Sequence, residues 1–488
     1  MEEVVFEKVG LKGNFFSYLR EKVGLFWAGL FFVLIINYVF KVLFIPSLDQ
    51  IGIYSLVNTP KWMGAIKTLL STDPLALLLP VQYPDTDGKT LWWTTTLIPF
   101  YYLCQVFSPL GVYLTLSSIL IITVYLCSWF VLSSFVFSST LAIFFALGTQ
   151  LNYVLSYGVL LTLYLLLTYI AVNVTLCIHI FRTKVTSWTD YLLFIFSLMV
   201  CLTGSEYWLN YAVSLTCCFI FLISWAIHTG NIEVKKRVSI LLSIVVVMIT
   251  TYLLIENHAA HKYFEAGVEE ELIFTYSSFL LMLDDIIVNY FTLLYMSLSN
   301  YLPSFFFFSN SLTYLSEAQI LAEQYGYHAQ KTHLIMASHI FEWRFYAGIL
   351  FTGFCMLGWR WLSACWHEKK NSRALILFIL WLAVVTGFST HLLIKMRPYN
   401  STPMLGYKAL FSTFSFTILI VYYLTTSRDF FKNINHWRYI VISAWLIVLL
   451  SAFTRPAALN AGLAATGLVG YTDPAAQLLG YFKKIKLW

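Results

Sequence analysis

Uncharged apolar runs of about 20 residues recur from Leu25 to Phe453, and each can cross a hydrocarbon core about 30 Å thick. No other feature constrains the fold so strongly. Inside a bilayer every backbone N–H and C=O must be satisfied within the protein, so such runs fold as helices. Composition agrees: 59% of the 488 residues are hydrophobic and 11% are charged, with a mean hydropathy of +0.75. Soluble domains carry about a quarter charged residues, which excludes a soluble enzyme. An aromatic-rich, low-charge chain is not a disordered one either. The expected fold class is an all-α polytopic membrane protein of about 11 transmembrane helices, within 10–13, with two large outer loops carrying interfacial helices.

Crossings are expected near 24–45, 109–135, 139–155, 157–181, 187–204, 207–229, 237–256, 345–365, 374–394, 407–425 and 438–455. The first has too long an apolar core for a signal peptide, and no small-residue cleavage site follows it. With the N-terminus cytoplasmic, that side receives sixteen basic and eight acidic residues, against eleven and fifteen on the other. Basic residues concentrate on cytoplasmic connections. The net charge of +6 therefore reflects topology and implies no nucleic-acid partner. The cysteines at 104, 127, 177, 201, 217, 218, 355 and 365 all lie in or beside apolar stretches. They read as packing residues, without a disulfide framework or a metal-ligand spacing.

Residues 1–455 form the expected transmembrane domain, with outer loops at 46–92, 257–344 and 395–406. Residues 456–488 form an apolar C-terminal segment broken by Gly and Pro, which admits a hairpin, an interfacial piece or a further crossing. In the first loop Thr59-Pro60 opens an amphipathic helix over 60–70. The stretch from Trp92 to Phe107 reads as a half-embedded helix. Asp284-Asp285 in the middle of 272–302 favours a surface or protein-buried helix there over a crossing. Asn400-Ser401-Thr402 is a glycosylation sequon on the outer side.

Cytoplasmic connections are short and basic, so the outer loops carry the groups suited to chemistry. Asp49 follows the first span by a few residues, while Asp85 and Asp87 lie at the other end of the same loop. A carboxylate there can take a proton from a sugar hydroxyl, and a second can orient it or hold a divalent cation. Asp49 reads equally as a solvated cap, and Asp85-Thr86-Asp87-Gly88 as a turn. Lys395, Arg397 and Lys408 flank the third outer loop against the charge bias. They suit phosphate recognition, or else snorkel from helix ends. His258 and His261 are substrate-binding candidates, although no metal-ligand spacing joins them. Spans two to seven hold no mid-membrane Lys, Arg, Asp or Glu, which weighs against an ion-coupled transporter.

The layout resembles the GT-C superfamily of membrane glycosyltransferases over roughly residues 20–410. The resemblance rests on an acidic residue soon after the first span (Asp49), the 60–70 helix and Ile98-Pro99-Phe100-Tyr101-Tyr102-Leu103 leading into closely spaced helices. A large late outer loop and a basic outer loop complete it. Asp49-Gln50 stands where some members carry an Asp-Glu pair. The resemblance implies hexosyl or pentosyl transfer from a dolichol- or undecaprenyl-phosphate donor to a glycan, lipid or protein acceptor on the outer or lumenal face. It also implies Asp49 as base, and Arg397 with Lys395 or Lys408 on the departing phosphate. The setting would be the cell envelope at a bacterial inner membrane, with the endoplasmic reticulum as alternative. No metal is required, and Mg or Mn at Asp85 and Asp87 would be optional. A lipid-linked substrate flippase or transporter, or a surface-glycan ligase or polymerase, are the competing readings.

Overall fold

The computed structural model describes residues 15–44, 80–82, 91–107, 109–148, 162–183, 186–204, 208–263, 371–395, 410–426 and 439–450, and separate positions within 356–366. Its helices are α1 Phe15–Phe44, α2 Thr94–Val106, α3 Pro109–Leu132, α4 Phe135–Leu147, α5 Thr162–Arg182 and α6 Trp188–Leu202. They continue with α7 Trp208–Thr229, α8 Ile232–Tyr263, α9 Asn371–Lys395, α10 Leu410–Thr426 and α11 Tyr439–Leu450. Helices thus cover ten of the eleven expected crossings. Five windows, in α1, α3, α5, α7 and α8, are long and apolar enough to cross a bilayer. Of the rest, α9 runs 25 residues with an apolar stretch at Ala374–Thr386, the others are shorter, and of the eighth crossing only separate helical positions are described. One departure from an all-α fold is a small hairpin, β1 Pro80–Gln82 paired antiparallel with β2 Leu91–Trp93.

Side-chain contacts fix the direction of each helix. Phe26 of α1 packs on Trp129 near the end of α3 with ring centroids 5.2 Å apart, and the Tyr125 hydroxyl donates to the Phe26 carbonyl. Farther along α1, Asn37 meets Ser117 near the start of α3. The two helices are therefore antiparallel. The α3–α4 connection is two residues, with Ser133 at a left-handed φ of 50° and Ser134 capping Phe137. Arg182, at the end of α5, donates 2.7 Å to the Val131 carbonyl in the last turn of α3, a cation where the helix dipole favours one. The end of the bundle holding these connections is called the basic end below.

From there the alternation continues. His179 and Asp190 approach to 3.8 Å across the α5–α6 connection. Gly230, at φ 68°, turns α7 into α8 in a conformation that a side chain would resist. Trp225 of α7 donates 3.2 Å to the Cys365 carbonyl, and Phe181 at the end of α5 meets Phe378 early in α9. Phe145 packs on Phe414 and Phe137 on Tyr422, so α10 runs antiparallel to α4. The ends of α1, α6, α8 and α9 and the start of α10 consequently share the opposite end, called the loop end.

At the centre lies α4. From Phe137 to Leu147 every residue is buried, the hydroxyls of Ser138, Ser139 and Thr140 included, and no face of the helix is charged. Its 13 residues span only about 20 Å, short of the hydrocarbon thickness. It packs against α1, α3 and α10, and Trp445 of α11 donates 3.0 Å to its Thr140. On the outside, Phe31, Phe196, Leu254 and Leu446 are large apolar side chains left exposed, as a lipid-facing surface requires.

Between helices in lipid the hydrophobic effect contributes little, so close packing and hydrogen bonds hold the bundle. Asn173 of α5 donates 2.8 Å to Ser197 of α6 and accepts 2.5 Å from the Tyr211 hydroxyl of α7, with all three residues buried. Such interhelical bonds contribute about 0.6 kcal/mol each. Cys177, Cys201, Cys218 and Cys365 are buried without disulfides, in keeping with a packing role.

Several boundaries move from their expected places. The third expected crossing, α4, begins at Phe135 instead of 139 because Ser134 supplies the cap, and it ends at Leu147. The seventh begins at Ile232, capped by Asn231 accepting from Val234, and runs on to Tyr263. The helix expected from Trp92 begins instead at Thr94, after a strand. The 60–70 helix, the 272–302 stretch and the 456–488 segment lie outside the described residues.

Gly29 of α1 packs tightly against α3 and the start of α4. A Cβ there would sit 2.3 Å from Tyr125 Oη and 2.8 Å from a ring carbon of Phe135. Gly29→Ala is expected to destabilise the bundle by about 1–3 kcal/mol, seen as a lower midpoint in SDS unfolding of the purified protein. Adding Tyr125→Phe should recover part of the loss by removing the nearest atom.

Candidate functional site

Each candidate side chain grows from an element that terminates at the loop end. Asp49 lies five residues beyond Phe44, the last residue of α1, and is outside the described residues. Asp85 and Asp87 lie in 83–90, also outside them. The pairing of Gln82 with Leu91 brings the two ends of that segment together. His258 and His261 were expected in the loop 257–344, but α8 carries both within its last two turns. The helix continues because Glu256, Ala259 and Ala260 are good helix formers, and no Gly or Pro interrupts before Tyr263. Lys395 is the final residue of α9, while Arg397 and Lys408 fall between it and Leu410, outside the described residues. For His258, His261 and Lys395 the description is of backbone alone.

The hairpin and α2 are fastened to the bundle at this same end. Thr95 donates its hydroxyl to the Thr203 carbonyl, and Thr96 donates 3.0 Å to the Gly204 carbonyl. These bonds tie the first turn of α2 to the residues just after α6. Pro99, inside α2, has no N–H to give the Thr95 carbonyl four residues back. The Tyr169 hydroxyl of α5 donates to that carbonyl instead, at 3.4 Å. A proline in a helix is thus compensated by a side chain from a neighbour. Because β2 runs straight into α2, the same bonds set where the 83–90 segment leaves the bundle.

Beneath the loop end, Asn37 is fully buried, seven residues or about 10 Å before the end of α1. Its amide reaches Ser117 at 3.3 Å and Ser118 at 3.4 Å, while its carbonyl oxygen has no hydrogen-bond partner among the described residues. A buried acceptor left in this way suits a water or a ligand donor. Sequence reasoning passed over Asn37; its one signal was an amide deep in an otherwise apolar run. Among the described residues no three His, Cys, Asp or Glu side chains gather as a metal site would.

No protein family, curated protein or solved structure matches the chain. The functional reading therefore rests on these residues and on the arrangement of the helices that carry them.

Tyr169→Phe removes the donor that compensates Pro99. It is expected to cost about 1 kcal/mol of stability and to raise hydrogen exchange in α2 selectively. Uniform exchange across the bundle, with α2 unchanged, would show that the Thr95 carbonyl does not depend on Tyr169.

Proposed function

We propose that the chain is a membrane glycosyltransferase that moves a sugar from a polyprenyl-phosphate carrier to an acceptor hydroxyl or amide at the loop end. The observation that carries the reading is the shared end. The helices and strands leading to Asp49, Asp85, Asp87, His258, His261, Lys395, Arg397 and Lys408 all finish there, although their positions span more than 350 residues of sequence. Carboxylates and phosphate-binding cations from separate segments are the two kinds of group that such a transfer needs.

In this reading Asp49 accepts the proton of the acceptor as its heteroatom attacks the anomeric carbon. The bond from that carbon to the phosphate oxygen breaks, and the polyprenyl phosphate leaves with the electron pair. Arg397, with Lys395 and Lys408, neutralises the developing charge, and guanidinium can grip two phosphate oxygens at once. A monophosphate leaving group carries less charge than a diphosphate, so a divalent cation at Asp85 and Asp87 is optional. His258 and His261, one turn apart at the end of α8, flank the acceptor side.

Incorporation of labelled sugar from a polyprenyl-phosphate donor tests the assignment. Asp49→Asn should leave insertion and thermal stability unchanged while transfer falls by about 10²–10⁴-fold, the usual contribution of a general base. Wild-type protein treated with EDTA should retain at least part of its activity. Near-normal transfer by Asp49→Asn removes that residue from the mechanism. Full loss in EDTA that Mg²⁺ restores, and that Asp87→Ala reproduces, makes Asp85 and Asp87 ligands.

A further inference from the structure

At the end of the bundle away from the candidate site, α8 leaves the α7–α8 turn with two lysines on its outer surface. Lys235 and Lys236 are both exposed, and no carboxylate pairs with either among the described residues. The neighbouring Arg237 differs: it is buried, with Glu233 3.7 Å from its guanidinium. The helix therefore keeps one cation for the bundle and presents two outward.

Above Lys236 rises a stripe at helical spacing. Ile240, Val247 and Leu254 stand four, eleven and eighteen residues on, and they are 37%, 62% and 66% exposed. The opposite face, Val234, Val238, Leu241, Val245 and Tyr252, is buried. Ser243 and Thr250 interrupt the stripe, but each hydroxyl donates to a carbonyl of its own helix, at 3.0 and 2.9 Å. Nothing polar on the stripe asks for water. From Lys236 to Leu254 the rise is about 27 Å, close to the hydrocarbon thickness. The lysines accordingly stand at one membrane surface, with an uncharged stripe above them.

We propose that this face of α8 binds an anionic phospholipid, its phosphate held by Lys235 and Lys236 and its acyl chains laid along Ile240, Val247 and Leu254. Charge complementarity selects the headgroup. An ammonium pair at the foot of an uncharged stripe has no paired carboxylate among the described residues, and a lipid phosphate supplies a counter-charge at the required depth. The stripe selects a lipid over a soluble phosphate, because it adds apolar contact that a free anion cannot use. The site is separate from the transfer chemistry and does not depend on it.

Native mass spectrometry of the full chain, carrying a mixture of phosphatidylglycerol and phosphatidylcholine with identical acyl chains, tests this. The wild type should retain phosphatidylglycerol preferentially. The pair Lys235→Gln and Lys236→Gln should weaken that preference by about fivefold per lysine, while Lys235→Arg with Lys236→Arg keeps it. Inorganic phosphate in large excess should leave the bound lipid in place. An unchanged preference in the glutamine pair, loss of preference in the arginine pair, or displacement by inorganic phosphate would each overturn the proposal.

Discussion

The bundle depends on burying α4. A helix of 13 residues cannot itself cross a hydrocarbon core about 30 Å thick, and one without a charged residue, apolar but for Ser138, Ser139 and Thr140, has no face suited to water. It is stable only with other helices around it. In the structure α1, α3 and α10 enclose it, and Trp445 of α11 bonds its Thr140. The tight turn at Ser133 and Ser134 returns the chain into this space immediately after α3, and Arg182 closes the end of α3 beside it. Of the helices that lead to the candidate residues, α1 and α10 pack on α4 itself, α9 packs on α10, and α8 lies farther out against α5, α6 and α7.

One consequence is a division of labour between the two ends. At the basic end short connections hold capping and pairing interactions: the Ser187–Asp190 capping box, the Arg182 bond and the Arg237–Glu233 pair. At the loop end α8 carries His258 and His261 and α9 ends at Lys395, while Asp49 follows α1 in sequence and Arg397 and Lys408 lie between α9 and α10. Polar groups in lipid are costly, so ionisable side chains gather where segments leave it. Asn37 is one buried polar group within the described core: an amide whose carbonyl oxygen has no partner among the described residues, placed just beneath the loop end.

Much of this was legible in the sequence, because hydrophobic runs report helices directly. The order of the described apolar helices followed from them, five of these are long and apolar enough to cross a bilayer, and the alternation inferred from basic connections matches the described helix directions. Boundaries were harder, for physical reasons. Ser134 starts α4 by capping, which an apolar run does not reveal, and α8 continues through His258 and His261 because nothing in 256–263 breaks a helix. The three-residue strands at Pro80 and Leu91 are too short for periodicity to show. Least legible were the long-range bonds. That Tyr169 serves the carbonyl freed by Pro99, or that Asn173 joins Ser197 to Tyr211, depends on partners from other helices. For the candidate site, residue types pointed to chemistry, but only the helix directions bring their attachment points to one end.

That gathering at one end is the central claim, and sidedness of labelling measures it directly. In a chain whose native cysteines are replaced by alanine, single cysteines at 49, 87, 261, 397, 187 and 236 can be reacted with an impermeant maleimide in sealed, uniformly oriented vesicles. Cysteines at 49, 87, 261 and 397 should label from one side of the membrane, and those at 187 and 236 only after the vesicles are opened or inverted. If any of the first four labels together with 187 and 236, the alternation of helices and the assembly of a site at the loop end are both contradicted.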